Sequence, residues 1–519
     1  MKDKVLFWFG GDFTQFCMSY YFQKKYDCEM YSIVDITNKP KKFFENQKLI
    51  SFKKTWYLHD EYDSKLEPNI EYLKKFEQKY KINLWQLAIN ERHFYNFNDY
   101  HKFSTNEILS ITEQICRFYE NLFDEVSPDF FITKLSALYH LELFRKMCIY
   151  HGTKVLMLSS PKIPKISILS EDDTKFDYVN SLEKIEFEEK NFDDLNNDLF
   201  FLNTNDTKTI MMDYWEKHAS NSKIKMIKMF MKFFISSNVN INTNYNYYGR
   251  TRLRVLKNAT IINLKKIIRE YFMEKNLEHN PDMQTPFVYY PLGIVLERNI
   301  LIKAPYCTNQ LEIIRHIAKS LPMGFRLLVK EHPAQKSREW RPISEYKQIM
   351  DIPNVTLIHH SFSDKELKKN CSLLITTAGG SAFESTFLQK PSIIFGDTIY
   401  SILPSVTKVD SLENLPKIIK TSLKTKVESK DLSKFMKILS HEIINFSYGE
   451  FLIDYNEKFT SSGGNADSII DQNDLKIFLE EKQNSLEYLA MRHIDKINQH
   501  KKFIQNETSN LNINNIYDD

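Results

Sequence analysis

Between residues 287 and 420 short apolar runs alternate with stretches of helical length whose apolar residues fall on one face. Residues 287–290 form a β-type run, and residues 309–320 then place Leu311, Ile314, Ile317 and Ala318 at helical spacing. Further strands are predicted at 325–329, 355–358, 372–375 and 392–395, with helices at 342–350, 363–370 and 382–389 between them. Ser363 or Asp364 is placed to cap the helix over 363–370, and Gly396 stops the last strand. Strands and helices of these lengths in strict alternation specify a parallel, doubly wound α/β sheet.

The first 160 residues carry a looser version of the same rhythm. Strands are predicted at 5–9, 30–36, 130–132 and 155–158, and helices at 13–24 and 136–150. An aromatic-rich helical insertion fills residues 71–123. The pattern divides the chain into a Rossmann-like domain over 1–202, a helical basic connector over 203–285, a second Rossmann-like domain over 286–424, and C-terminal helices over 425–519. The polar end, 506–519, reads as disordered. Ligands of such folds bind beyond the carboxyl ends of the strands, in the cleft between lobes.

A length of 519 residues calls for two or three domains rather than one core. The 70 basic and 67 acidic residues leave a net charge of +3, which argues against a dedicated nucleic-acid binder. The six cysteines are scattered, with no CxxC pair and no Cys/His cluster at ligand spacing, as in a reduced cytoplasmic protein. Residues 5–9 are too short an apolar run for a signal peptide, because Asp12 interrupts its continuation. No stretch reaches the roughly 18 apolar residues of a membrane span. A soluble, cytoplasmic protein is expected.

Two loops carry the candidate chemistry. Lys330-Glu331-His332-Pro333 follows the strand over 325–329, where an imidazole and an ammonium can meet a phosphate; Glu331 orients the histidine or faces solvent. Thr376-Thr377-Ala378-Gly379-Gly380-Ser381 joins the strand over 372–375 to the next helix. Adjacent glycines in a chain with only 12 mark a sharp turn or a close approach. The helix beyond offers unpaired N–H groups to an anion, the hydroxyls extend that cradle, and Glu384 in its first turn can accept the hydroxyls of a ribose. The plainer alternatives are a packed loop histidine and a tight turn with a favourable first-turn acid. Phe395-Gly396-Asp397-Thr398-Ile399-Tyr400 is a third strand-end loop, read either as cleft lining or as a turn.

The order Lys-Glu-His-Pro, Ser363-Asp364-Lys365-Glu366-Leu367, Gly-Gly-Ser-Ala-Phe-Glu-Ser and Lys390-Pro391-Ser392-Ile393-Ile394-Phe395-Gly396 resembles the capsule polysaccharide biosynthesis transferases. These are GT-B enzymes related to the transferases that use CMP-linked Kdo or sialic acid. The resemblance is strong over 287–400 and extends to the N-terminal half in layout only. It implies two Rossmann-like domains facing a cleft, and an inverting, metal-independent sugar transfer with the nucleotide-sugar as substrate and no cofactor. It assigns the nucleotide phosphate to His332 and to Thr376, Thr377 or Ser381, with Lys330, Gly379, Gly380 and Glu384 beside them. A glycan or glycolipid is the implied acceptor.

For the acceptor side, Asp12 after Gly10-Gly11 is a candidate base, or simply caps the helix that follows. Glu91 and Arg92, beside His93, are candidate acceptor-binding residues, or a solvated helix end. Asp172-Asp173 and Asp193-Asp194 read as surface charge, and no metal site is evident. Basic stretches at Lys225, Lys228 and Lys232, and from Arg250 to Arg269, fit peripheral membrane contact or a core helix with a solvated stripe. A CDP-glycerol-type glycerophosphotransferase, a nucleotide-sugar 2-epimerase and a catalytically silent GT-B scaffold are the competing functions.

Overall fold

A computed structural model describes residues 2–60, 66–95, 99–161, 166–177, 185–203, 244–295, 297–338, 340–460 and 468–514. The first body is built on strands β1 (Lys4–Phe9), β2 (Glu29–Val34), β3 (Lys54–Tyr57), β4 (Phe130–Lys134), β5 (Lys154–Ser159) and β6 (Ser167–Ser170). The second is built on β7 (Phe287–Pro291), β8 (Arg326–Lys330), β9 (Val355–Ile358), β10 (Leu373–Thr376), β11 (Ser392–Ile394) and β12 (Val406–Lys408). A last strand, β13 (Ile443–Ile444), returns to the first sheet.

The first sheet runs β13-β6-β5-β4-β1-β2-β3 and the second β12-β11-β10-β7-β8-β9. All pairs are parallel except those of β6 with β5 and with β13. Each sheet is covered on both faces, and the strands show it by alternation. In β1, Val5, Phe7 and Phe9 enter one core while Leu6 and Trp8 enter the other. In β7, Val288 and Tyr290 pack on one side and Phe287 and Tyr289 on the other. Two doubly wound bodies of this kind are the GT-B-like arrangement expected from the sequence.

The predicted strands and helices of 287–395 appear within two residues of their expected bounds. Ser363, not Asp364, caps its helix, accepting the N–H of Glu366 at 3.2 Å. The short strands β3, β6, β12 and β13 went unpredicted. A two-residue strand such as β13 exists only because Ile443 and Ile444 pair with Ile168 and Ser167, far away in sequence.

The segment from 425 divides between the two bodies. Helix Ser429–Glu442 lays Leu432, Phe435, Ile438 and Leu439 on the second body. Helices Tyr448–Phe459, Gln472–Glu481 and Gln483–Asn514 return to the first, where Phe451, Leu479, Leu486 and Leu489 share a core with Phe16 and Phe22 of helix Thr14–Lys25. The final helix holds no Gly or Pro to stop it and reaches Asn514, so residues 506–514, expected to be disordered, are helical, and 515–519 lie outside the described residues.

The stripe of Lys225, Lys228 and Lys232 lies outside the described residues. Helix Arg252–Asn276 is described, and Met273 is its one buried residue. No described helix is long and apolar enough to cross a membrane.

Candidate functional site

In each sheet the strand order reverses once, between β1 and β4 and between β7 and β10. Doubly wound folds bind ligands beyond the carboxyl ends at such reversals, because adjacent loops leave toward opposite faces and open a crevice. The candidate loops of the second body follow β8 and β10, beside that point.

Glu331 is fully buried and does not face solvent. Its carboxylate accepts the backbone N–H of His332 at 2.6 Å, Arg341 Nε at 2.8 Å and the Tyr346 hydroxyl at 2.8 Å. Arg341 also donates to the Gly293 carbonyl at 2.7 Å, and Gln310 clamps Gly293 from the other side. Glu331 thus holds the loop that carries His332, tying the exits of β7 and β8 together. His332 is half-buried, and its Nδ1 accepts the N–H of Ala334 at 3.1 Å. The neutral ring then carries its proton on Nε2, as a donor. Lys330, at the end of β8, is buried, and burial lowers its pKa against the opposing pull of Asp364.

The hydroxyls of the second loop separate by burial. Thr376 and Thr377 are buried, and Thr377 shares a hydrogen bond of 3.1 Å with the Tyr290 hydroxyl. The carbonyl of Thr377 accepts the N–H groups of Phe395 and Gly396. Both threonines therefore shape the loop, and Ser381 is the hydroxyl left half-exposed at the start of helix Ser381–Phe387. Gly379 serves a close approach: a Cβ there would stand 2.8 Å from Thr376 Oγ1. Tyr400 is buried and donates its hydroxyl to the Gly379 carbonyl, locking the turn. Gly396 likewise lets the chain pass the carbonyl of Lys303, which a Cβ would meet at 2.6 Å. Asp397 pairs with Lys408 at the surface. Glu384 is exposed and pairs with Lys368, which also holds Asp364.

The first body opens a cavity of about 500 Å³ at its own strand reversal. Gly10 and Gly11 after β1, Asp35 after β2 and Lys134 to Leu138 after β4 line it, together with Arg92, His93 and Arg250. Arg92 and Arg250 each keep a buried Nε with no hydrogen-bond partner. Glu91 is fully buried, so this cluster is not a solvated helix end. It accepts the N–H groups of Tyr139 and His93, and burial raises its pKa against those bonds. Burial, then Arg92 and Arg250, push His93 down to about 3, so its ring stays neutral in a basic cavity.

Asp12 is buried beneath this cavity. It accepts the N–H of Thr14 at 3.1 Å and the Tyr448 hydroxyl at 2.6 Å, and it forms an ion pair with Lys134. The carboxylate in the wall itself is Asp35, which sequence reasoning did not single out. It binds His59 Nε2 at 2.7 Å and His140 Nε2 at 2.9 Å, and His140 Nδ1 meets the Tyr245 hydroxyl at 2.9 Å. Burial opposes the Asp35 charge, but the two imidazoles outweigh it and hold the carboxyl below its usual range. It directly follows β2, but the strand predicted over 30–36 enclosed it and hid its place at a strand end.

Asp173 corrects another expectation. It is buried, not surface charge, and holds Arg298 at 3.0 Å and Lys303 at 2.8 Å across the boundary between the bodies. Its environment, remote in sequence, was invisible in a polar loop. Asp193 and Asp194 are exposed, as expected.

Residues 204–447 match the family described as capsule polysaccharide biosynthesis protein, so the resemblance read from the loops holds over that segment. No curated protein matches the chain. Among solved structures, the UDP-GlcNAc 2-epimerase of Methanocaldococcus jannaschii is similar at 14% identity, covering 85% of this chain and 100% of its own, with a TM-score of 0.24. Thermosulfurimonas dismutans KpsC, described as a beta Kdo 2,7 transferase, is similar at 11% identity over 73% of this chain and 98% of its own, with a TM-score of 0.30. Anabaena Alr3699/HepE, solved with UDP and glucose, shares 10% identity over 88% of this chain and 97% of its own, with a TM-score of 0.23.

Proposed function

We propose, from the capsule-biosynthesis match and the two crevices, that the chain is a glycosyltransferase moving a sugar from a nucleotide-activated donor on the second body to a glycan or glycolipid acceptor on the first. One observation carries this reading. Lys330, His332 and Ser381 stand at the carboxyl ends of β8 and β10, and Arg298 of the same body hydrogen-bonds Ser136 in the wall of a basic cavity lined by Arg92, Lys134 and Arg250.

In this proposal Ser381, the N–H groups at Gly379 and Gly380 and His332 Nε2 donate to the nucleotide phosphate, while Lys330 supplies positive charge. Thr376 and Thr377 hold the loop, and Glu384 accepts ribose hydroxyls. Arg92 and Arg250 grip an anionic group of the acceptor, on a shelf supported by Glu91. Asp35 takes the proton of the acceptor hydroxyl, and Asp12 acts through Lys134 as a positioning residue. As the acceptor oxygen attacks the anomeric carbon, the bond to the phosphate oxygen breaks. Charge then gathers on the leaving phosphate, where the donors are already aimed. The transfer is inverting and needs no metal ion in the reaction.

Helix Arg252–Asn276 exposes Leu253, Leu264, Ile267, Ile268 and Tyr271 among basic residues. That face supports peripheral contact with an anionic membrane, where a lipid-linked acceptor would reside.

Thermal shift with CMP, CDP and UDP tests the donor half. One nucleotide is expected to raise Tm, and His332→Ala and Ser381→Ala to abolish the rise. Absence of a shift with all three removes the proposal, and a preference for CDP turns it toward glycerophosphate transfer.

A further inference from the structure

The end of helix Arg252–Asn276 and the edge strand β9 bring together three side chains that no motif connects. Glu274 lies in the helix's last turn, His279 in the loop after it, and His359 directly after β9. Their ligand atoms all lie within 4.8 Å of one another. His359 is 2% exposed, and its Nε2 stands 3.3 Å from Glu274 Oε1. The imidazoles of His279 and His359 stack with centroids 4.2 Å apart.

We propose that Glu274, His279 and His359 form a binding site for a divalent transition-metal ion of the zinc class. Two imidazoles and a carboxylate are a borderline-soft set that suits zinc, with a fourth position left for water.

The remaining nitrogen of His279 is already engaged in the way that prepares a histidine for a metal, and that of His359 has a hydroxyl within reach. A ligating imidazole generally gives its other N–H to a carbonyl or hydroxyl, which fixes its tautomer. His279 Nε2 meets the Glu274 carbonyl at 3.0 Å, so its lone pair is on Nδ1. His359 Nδ1 lies 2.7 Å from Ser361 Oγ, with the longer contact of 3.3 Å to the Ser361 N–H beside it. The Ser361 N–H donates to Nδ1 in the metal-free ring, and a bound ion selects the other tautomer, with Nδ1–H toward the Ser361 hydroxyl and the Nε2 lone pair toward the ion. Without metal, the proton on Nε2 bridges His359 and Glu274; when the ion binds there, the neutral ring changes tautomer and carries that proton on Nδ1 instead.

The geometry needs modest closure. Ligands about 2.1 Å from a tetrahedral ion stand closer together than these do, so they must converge by roughly an ångström. Glu274 and His279 are exposed, so the closing movement falls on them rather than on the buried His359. The surroundings favour neutral imidazoles. His360 stacks on His359 with centroids 4.1 Å apart, and burial of His359 and His360 lowers the pKa of each. Lys330, Lys336 and His279 face the pair and work in the same direction, against Glu274.

An ion here clamps the end of the helix to the edge of the second sheet, beside the bridge between Glu278 and Ile358. It covers an exposed strand edge, next to Lys330 of the proposed donor site, whose strand pairs Lys330 with Ile358. The site stands or falls independently of the donor reading.

The test is zinc binding by the full, tag-free chain, followed by competition with a chromophoric chelator and by Tm. One Zn²⁺ per chain with a raised Tm is expected. His279→Ala and Glu274→Gln, both at exposed positions, should each weaken the affinity about 10- to 100-fold while leaving the metal-free Tm unchanged. Failure to bind zinc at micromolar concentrations, or binding that both variants retain in full, overturns the proposal.

Discussion

Arg298 of the second body donates through Nη1 to the backbone carbonyl of Ser136 at 2.8 Å, and Ser136 lines the cavity of the first body. The same guanidinium binds Asp173 at 3.0 Å and Glu142 at 3.1 Å, with all three side chains buried. Removing one member of such a network leaves its partners buried and under-paired. Arg298→Ala is expected to cost about 3 kcal/mol, read as a shifted urea midpoint, and to weaken any cooperation between donor and acceptor binding.

Ser381 is the half-exposed hydroxyl of its loop, whereas Thr377 is occupied by Tyr290. Ser381→Ala should weaken nucleotide binding by about 1.5–3 kcal/mol, the worth of a hydrogen bond to a charged group, with Tm unchanged. Thr377→Val should lower Tm instead. Titration calorimetry and thermal unfolding of the two variants separate the roles, and the reverse pattern would return the phosphate to Thr377.

Asp35 and Asp12 make different predictions for catalysis. If Asp35 takes the acceptor proton, Asp35→Asn lowers kcat about 10²- to 10⁴-fold with donor affinity intact. Asp12→Asn loosens Lys134 and is expected to raise KM more than it lowers kcat. A larger kcat loss for Asp12→Asn would make it the base.

His493 is buried in helix Gln483–Asn514, with Nδ1 bonded to the Leu489 carbonyl at 2.8 Å, and burial holds its pKa down to about 4. The unfolded chain takes up this proton near pH 6.5 and the folded chain only near 4. Stability is therefore complete above pH 6.5 and falls as pH drops toward 4, at up to about 1.4 kcal/mol per pH unit for one proton. His493→Leu should flatten that part of a urea stability profile recorded from pH 4 to 8.

The exposed apolar face of helix Arg252–Asn276 predicts sedimentation with anionic phosphatidylglycerol vesicles and much less with phosphatidylcholine. Ile267→Asp with Ile268→Asp should abolish it without lowering Tm, since both residues are exposed. Equal binding by the variant would assign the contact elsewhere.

What the sequence determined by itself is the local order: which runs are strands, which are helices, and that Lys330 to Pro333 and Thr376 to Ser381 lie at strand ends. Those features follow from side-chain period and from Gly and Pro, which act within a few residues. The tertiary structure decided everything that depends on burial and distant pairing. It turned Glu331 inward to Arg341 and Tyr346, and it buried Thr376 and Thr377 while leaving Ser381 at the surface. It also placed Asp173 against Arg298 and His359 against Glu274. Neither pair has any local signature, because its energy arises only when the folded bodies exclude water from groups more than 80 residues apart in the chain.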